Sequence, residues 1–349
     1  MRQHSIAYFF EPLICGMDSE KYELYCYSNV EREDGVTERI RQTVHGWHSI
    51  VGLTNEQAVN TIRSDQINIL VDLSGHTASN RLPIFLSRAA PVQVSWLGYP
   101  NTTGLAAMDY RITDEVADPI GIADKLHSEK LIRIQSGFLC YLGDESIQVS
   151  ESPPSAHKNN VTFGSFNNIS KITDRVIETW SRAMLEIPNS LLVLKSKAFA
   201  DKVVRLELLS CFQKSGVDES RISLLQHSPG YREHLTLYNE IDIALDTFPY
   251  NGTTTTCEAM WMGVPVVTLS GNSHRSRVSK SILCRLGLDD LSSETEEDYV
   301  SNIIALASNS SRLLTLKREL RSTMQNSVLC NSKVFAENMQ KAFEGIVNR

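Results

Sequence analysis

No Cys-x-x-Cys pair, no Asp-x-Asp and no Gly-x-Ser-x-Gly occurs anywhere in this sequence. The first absence, with an odd total of seven cysteines set mostly among apolar neighbours, argues for reduced core thiols over a disulfide or zinc framework. The second removes the usual carboxylate pair for holding a metal on a diphosphate. No His/Asp/Glu cluster has metal-ligand spacing either, so neither a metal nor a cofactor is expected. The third disfavours a serine hydrolase. Long apolar runs are missing, which argues against a membrane span, and the amino terminus has no signal-peptide pattern. A soluble, cytoplasmic protein is the expectation. Basic residues are scattered through a chain of net charge −7, so no basic stripe invites nucleic acid.

What is present is a globular composition, 42% hydrophobic and 21% charged, in 349 residues, enough for about two domains. Short apolar runs alternate with helical patterns, the signature of parallel α/β sheets. Strands are expected at 23–27, 67–73, 92–97, 110–113 and 130–134, then at 161–166, 191–194, 222–225, 241–246 and 265–269. A helix over 172–186 places Ile172, Val176, Trp180 and Met184 on one face. The polar, proline-broken stretch 144–160 reads as a linker. The expected domains are 1–150 and 151–330, with a helical tail, 331–349, packing back. The acidic cluster around Glu294, Glu296 and Glu297 reads as a solvated helix start. The chain enters a helical pattern at once, whereas a doubly wound domain normally begins with a central strand, so the first domain is expected to lack that strand. One echo links the halves: Ile69-Leu70-Val71-Asp72 before Gly75, and Ile243-Ala244-Leu245-Asp246 before Gly252.

Three stretches could carry chemistry. In Asp246-Thr247-Phe248-Pro249-Tyr250-Asn251-Gly252-Thr253-Thr254-Thr255-Thr256-Cys257-Glu258, a strand ends, a turn follows and a helix opens on threonines. A helix amino terminus beyond a strand's carboxyl end suits a diphosphate, Gly252 allows close backbone approach, and Glu258 shares a face with Thr254 and suits a ribose diol. A threonine-capped helix after an ordinary turn would use the same residues. In Phe166-Asn167-Asn168-Ile169-Ser170-Lys171, Lys171 sits where it can neutralise a leaving diphosphate; an isolated surface lysine is the alternative. The loop Trp96-Leu97-Gly98-Tyr99-Pro100-Asn101-Thr102-Thr103-Gly104 could line a sugar or acceptor site, or pack the domain face. His4, His76 and His234 lie near element boundaries; His45 and His48 flank Trp47 and read as structural or exposed.

The run from Ala90 through Gly104, then Met108-Asp109-Tyr110-Arg111-Ile112-Thr113-Asp114, resembles the catalytic region of the protein O-linked N-acetylglucosamine transferases and their SPINDLY-type relatives. Phe166-Asn167-Asn168 through Lys171, Asn251-Gly252-Thr253-Thr254-Thr255 and Arg275-Ser276-Arg277-Val278 fit the same family, in the same order. The resemblance implies a GT-B fold, two Rossmann-like domains facing across a cleft, with the nucleotide held mainly by the second. It implies that Lys171 contacts the donor diphosphate and is essential to transfer. It further implies that Thr254 and Thr255 bind phosphate, Thr253 faces the sugar, Glu258 binds ribose and His234 lies by the base. Asn168, Ser170 and Gly252 complete the expected donor site. His4 is implied in a catalytic or acceptor-positioning role, and His76, Gly98, Tyr99, Pro100 and Thr102 are taken as the acceptor and sugar loop. The implied partners are a nucleotide-sugar donor, UDP-N-acetylglucosamine, and a protein acceptor. Serine stands at 170 where animal members have tyrosine, and threonine at 253 where they have histidine. SPINDLY-type relatives imply a GDP-fucose donor as the alternative. No tetratricopeptide repeat, usual in the family, is visible in these residues, so a nucleotide-binding fragment without catalysis is a third reading.

Overall fold

The computed structural model describes residues 2–228 and 230–347; Met1, Pro229 and the last two residues of the expected tail, Asn348 and Arg349, lie outside the described residues. The chain divides into two compact units, 1–142 with 328–349, and 143–327. The expected boundary at 150/151 thus corresponds to a division at 142/143. The stretch read as a linker is fastened into the second unit. There Asp242 accepts the N–H groups of Ser155 at 2.8 Å and Thr162 at 2.7 Å, and Asn239 accepts that of Ser150. The side-chain acceptors Asp242 and Asn239 satisfy a proline-broken backbone that has no ladder of its own.

In the first unit the strands are β1 (Tyr25–Ser28), β2 (Gly46–Ser49), β3 (Ile69–Asp72), β4 (Val92–Ser95), β5 (Tyr110–Thr113) and β6 (Lys130–Arg133). They form a parallel β1–β2 pair and a parallel sheet in the order β3-β4-β5-β6. Among the described residues no strand joins the β1–β2 pair to β3. The helices are α1 (Ser5–Gly16), α2 (Gly35–Thr43), α3 (Asn55–Ser64) and α4 (Leu82–Leu86). Capping boxes start α2 at Asp34 and Thr37, and α3 at Thr54 and Gln57. Sequence reasoning missed β2, whose Gly-Trp-His-Ser has no alternation. Pairing with β1 dictates it: a Cβ on Gly46 would lie 2.2 Å from the Tyr25 ring. His45 and His48 are structural here, the first accepting from Leu24 N and the second stacking on Tyr27 beside Asp65.

The second unit contains β7 (Thr162–Ser165), β8 (Leu191–Lys195), β9 (Ile222–Leu225), β10 (Ile243–Leu245), β11 (Val266–Leu269) and β12 (Ser292–Ser293). All are parallel, in the order β12-β11-β10-β7-β8-β9, which is the Rossmann order. The central strands β7, β10 and β11 are buried at every residue, as the continuous apolar runs require. The helices are α5 (Asp174–Glu186), α6 (Lys202–Lys214), α7 (Tyr231–Thr236), α8 (Thr254–Trp261), α9 (Val278–Cys284), α10 (Glu296–Ala307) and α11 (Ser310–Gln325). Val176, Trp180 and Met184 of α5 are fully buried, each side chain worth roughly 2 kcal/mol of transfer free energy. The helix begins at 174, not 172, because Thr173 caps it.

The tail divides between the units. α11 belongs to the second, where buried Lys317 donates to Met262 O at 2.9 Å and Arg321 to Trp261 O at 2.9 Å. The last helix, α12 (Ser332–Val347), packs on α1 in the first, meeting it at Gly16, where an added Cβ would lie 2.8 Å from Ala336 Cβ. Every expected strand is present within two residues at each end.

Candidate active site

The strand order of the second unit reverses between β7 and β10, and the loops leaving these two strands meet there. Ligands of open α/β sheets bind at such a switch point, outside the carboxyl ends of the strands. After β10 comes Asp246, 1% exposed. Its Oδ1 accepts Gly252 N at 2.7 Å and Thr247 N at 3.0 Å, and its Oδ2 accepts Thr268 Oγ1 at 2.7 Å. Burial raises its carboxyl above the ordinary value, opposed by hydrogen bonds from Thr268, Ser279 and Gly252 and by the charge of Lys171. The turn 247–252 is thereby tied to the strand it leaves.

That turn delivers the chain to α8. Thr253 stands at the N-cap but makes no side-chain capping bond, whereas Thr54, Thr173 and Thr295 all cap their helices. The threonine-cap explanation of this motif therefore fails, and the first-turn N–H groups of α8 are left by its own cap. The four threonines divide. Thr256 is buried against Ser279, with the hydroxyls 2.9 Å apart, and Thr255 donates to Asn167 Oδ1 at 3.1 Å. Thr253 and Thr254 are partly exposed. A Cβ on Gly252 would lie 2.5 Å from Thr255 Oγ1 and 2.7 Å from Thr256 Oγ1, so glycine is needed for this approach.

After β7, Asn167 is buried and holds Asp246 and Thr255. Asn168, expected at the donor, is exposed and accepts from Ser170 N at 3.1 Å, which caps the turn Ile169–Lys171. Ser170 is exposed as well. Adjacent amides are easily exchanged in a sequence reading; Asn167 is the buried one of the pair. Lys171 reaches across to the other loop. Its Nζ donates to Asn251 O at 2.8 Å and lies 3.7 Å from the Tyr250 ring centroid. Burial pushes its ammonium down to about 8, and Asp246 opposes that shift.

Farther along α8, Glu258 is 4% exposed and its Oε2 lies 3.0 Å from His234 Nε2. His234 Nδ1 meets Lys195 Nζ, a residue that the sequence motifs gave no reason to select. Phe166 and Tyr238 flank the imidazole. Lys171, Gly252, Thr253, Thr254, Thr255, Glu258 and His234 thus share one region of the second unit. A cavity of about 430 Å³ opens beside the same turn, lined by Phe248, Pro249, Gly271 and the acidic segment at Glu294, Glu296 and Glu297. The acidic segment is not simply solvated, for Glu296 pairs with Arg175 and Thr179 and Glu294 with Lys280.

The remaining predicted residues lie in the first unit. His4 caps α1, its Nδ1 accepting from Ile6 N at 3.3 Å. The neutral ring then carries its proton on Nε2 and presents a donor there, not a base. Partial burial and Arg2 lower its pKa. His76 is exposed, its Nε2 lies 2.7 Å from Thr103 O, and its ring edge faces Tyr99. Gly98 lies so close to β3 that a Cβ would be 1.9 Å from Leu73 O. Fully buried Arg111 donates to Tyr99 O at 2.9 Å, and Glu129 accepts Thr102 Oγ1 at 2.7 Å and Thr103 N at 2.6 Å. The loop holding Tyr99, Pro100 and Thr102 is thus a braced structure at the ends of β3 and β4.

Among the described residues no helix is long and apolar enough to cross a membrane. The description of glycosyl transferase family 41 matches residues 3–152 and 154–339. A probable UDP-N-acetylglucosamine–peptide N-acetylglucosaminyltransferase SPINDLY from Solanum lycopersicum is 40% identical over 99% of this chain and 38% of its own length, and one from Arabidopsis thaliana 41% over 98% and 38%. The chain spans less than two fifths of these relatives. A solved O-GlcNAc transferase mutant from Thermobaculum terrenum superposes with a TM-score of 0.94 at 36% identity, covering 99% of this chain and 65% of that one. The Anabaena protein HepE, solved in complex with UDP and glucose, shares the fold at 11% identity, with a TM-score of 0.61 over 99% and 97% of the two chains. The architecture is the α/β, GT-B type with Rossmann-like units, and on a match of nearly its whole length this chain belongs to glycosyl transferase family 41.

Proposed function

We propose that the chain carries the catalytic region of an inverting, metal-independent glycosyltransferase. It moves N-acetylglucosamine from UDP-N-acetylglucosamine to Ser or Thr hydroxyls of proteins. The observation that carries this reading is the meeting of Lys171 with the uncapped amino terminus of α8 at the switch point. In the transfer, the acceptor oxygen bonds to the anomeric carbon, the bond from that carbon to the diphosphate breaks, and the acceptor proton leaves to a base. Negative charge grows on the departing UDP. Lys171, the first-turn N–H groups of α8 and the hydroxyls of Thr253 and Thr254 are placed to stabilise it, the role a metal fills elsewhere. Glu258 accepts from the ribose diol, with His234 beside the base. The names of the SPINDLY relatives and of the Thermobaculum structure support donor and acceptor class. Seven free thiols fit the cytoplasm. Lys171→Ala should abolish transfer while leaving the circular dichroism spectrum intact; retained turnover would remove Lys171 from the mechanism.

One observation favours a second donor. Identity is 40% to the SPINDLY relatives but 27% to the Arabidopsis relative named SEC, and SPINDLY-type resemblance implies GDP-fucose. Donor hydrolysis measured with both nucleotide sugars separates the two.

A further inference from the structure

Lys195 ends β8 and is 7% exposed. Its ammonium is within hydrogen-bond reach of His234 Nδ1 and lies 5.4 Å from the Phe166 ring centroid. Across the imidazole, Nε2 faces Glu258 Oε2 at 3.0 Å. An ammonium has three donors and no acceptor. With Lys195 charged, Nδ1 must accept, so the single ring proton lies on Nε2 and is donated to Glu258. The three groups form a one-way chain of donors, from Lys195 through His234 to Glu258, that leaves a positive and a negative charge separated by a neutral ring. A buried carboxylate is tolerated only when charge and hydrogen bonds compensate it, and Lys195 supplies that compensation without occupying the carboxylate itself.

We infer that Lys195 is a positioning residue of the nucleotide site, holding His234 as the Nε2–H tautomer and Glu258 as an ionised acceptor with Oε1 left for a ribose hydroxyl. This inference rests on the nucleotide-site reading of α8. Burial brings the Lys195 ammonium down to about 8, opposed by Glu258, so it is charged at neutral pH. The other titratable groups near the chain are His227, which senses Lys195, Lys197 and His234, and Tyr238, which senses Glu258 and Tyr231. Without Lys195 no ammonium bars a proton from Nδ1, and Glu258 loses the positive charge that compensates it across the ring.

The test uses the full chain with ¹⁵N-labelled histidine, the His234 signals being assigned by their loss in His234→Asn. At neutral pH, wild type and Lys195→Arg should show a bare Nδ1 and a protonated Nε2, and Lys195→Met a protonated Nδ1. Calorimetric titration should show the affinity of Lys195→Met for its nucleotide, UDP or GDP, weakened about tenfold or more, with Lys195→Arg recovering much of it. A protonated Nδ1 in wild type overturns the inference without recourse to a variant. So does a ring state unchanged in Lys195→Met, since any affinity loss would then come from direct contact by Lys195. A changed ring with unchanged affinity overturns it too. If wild type binds neither nucleotide, the nucleotide-site reading fails and this inference with it; the other three outcomes leave that reading standing.

Discussion

Asp246 accepts the backbone N–H of Gly252 at 2.7 Å, so the residue that follows a buried strand holds the turn that opens α8. The same carboxylate takes Thr247 N, Asn167 Nδ2 and Thr268 Oγ1. Three of these four partners are N–H groups converging on Oδ1, and the fourth is a hydroxyl on Oδ2.

Asp246→Ala would therefore leave these N–H groups without their acceptor. The expected loss is about 2–3 kcal/mol in urea unfolding, with weaker nucleotide binding in the variant that still folds. An unchanged midpoint would show that the turn is held by its other contacts.

Lys171 gives a pH dependence. Its folded pKa of about 8 lies below the ordinary lysine value of 10.5. Because kcat/KM reports the free enzyme, its alkaline limb should fall with an apparent pKa near 8, and in Lys171→Ala kcat should drop by about 10²-fold or more. The stability sign is the reverse. Between these pKa values the unfolded chain binds more protons, so the cost of burying this ammonium is fully present below pH 8 and is relieved as pH rises. The stability gained by Lys171→Met over wild type should shrink between pH of about 8 and about 10.5, measured by thermal melting; a constant difference would contradict the buried-ammonium account.

Two threonines at helix starts should behave oppositely. Thr173 caps α5 through Val176 N, and Thr173→Ala should cost about 1 kcal/mol of stability. Thr253 caps nothing, so Thr253→Ala should leave the melting temperature nearly unchanged while weakening nucleotide binding. Equal losses of stability in the two would return α8 to an ordinary capped helix.

Ten strands were legible as short apolar runs, most plainly β7, β10 and β11, which are buried at every residue. The echo between Asp72 and Asp246 also proved structural: Asp72 Oδ2 accepts Gly75 N at 2.7 Å, the same device on β3. What could not be read depends on tertiary pairing. β2 exists because β1 pairs with it. Asn167 was passed over for Asn168 because two adjacent amides carry no signal of which faces in. Lys195 was invisible because His234 lies 39 positions away in sequence and Glu258 a further 24. The tail's division between the units rests on small contacts, such as Gly16 against Ala336, that no periodicity encodes.

The most direct test of the central claim is a calorimetric titration of the full chain with UDP, repeated with GDP and with Lys171→Ala. The account predicts saturable binding of UDP in preference to GDP, weakened by the substitution; a preference for GDP would move the donor to the fucosyl alternative. Binding of neither nucleotide would contradict the assignment of the β7–β10 switch point as a nucleotide site.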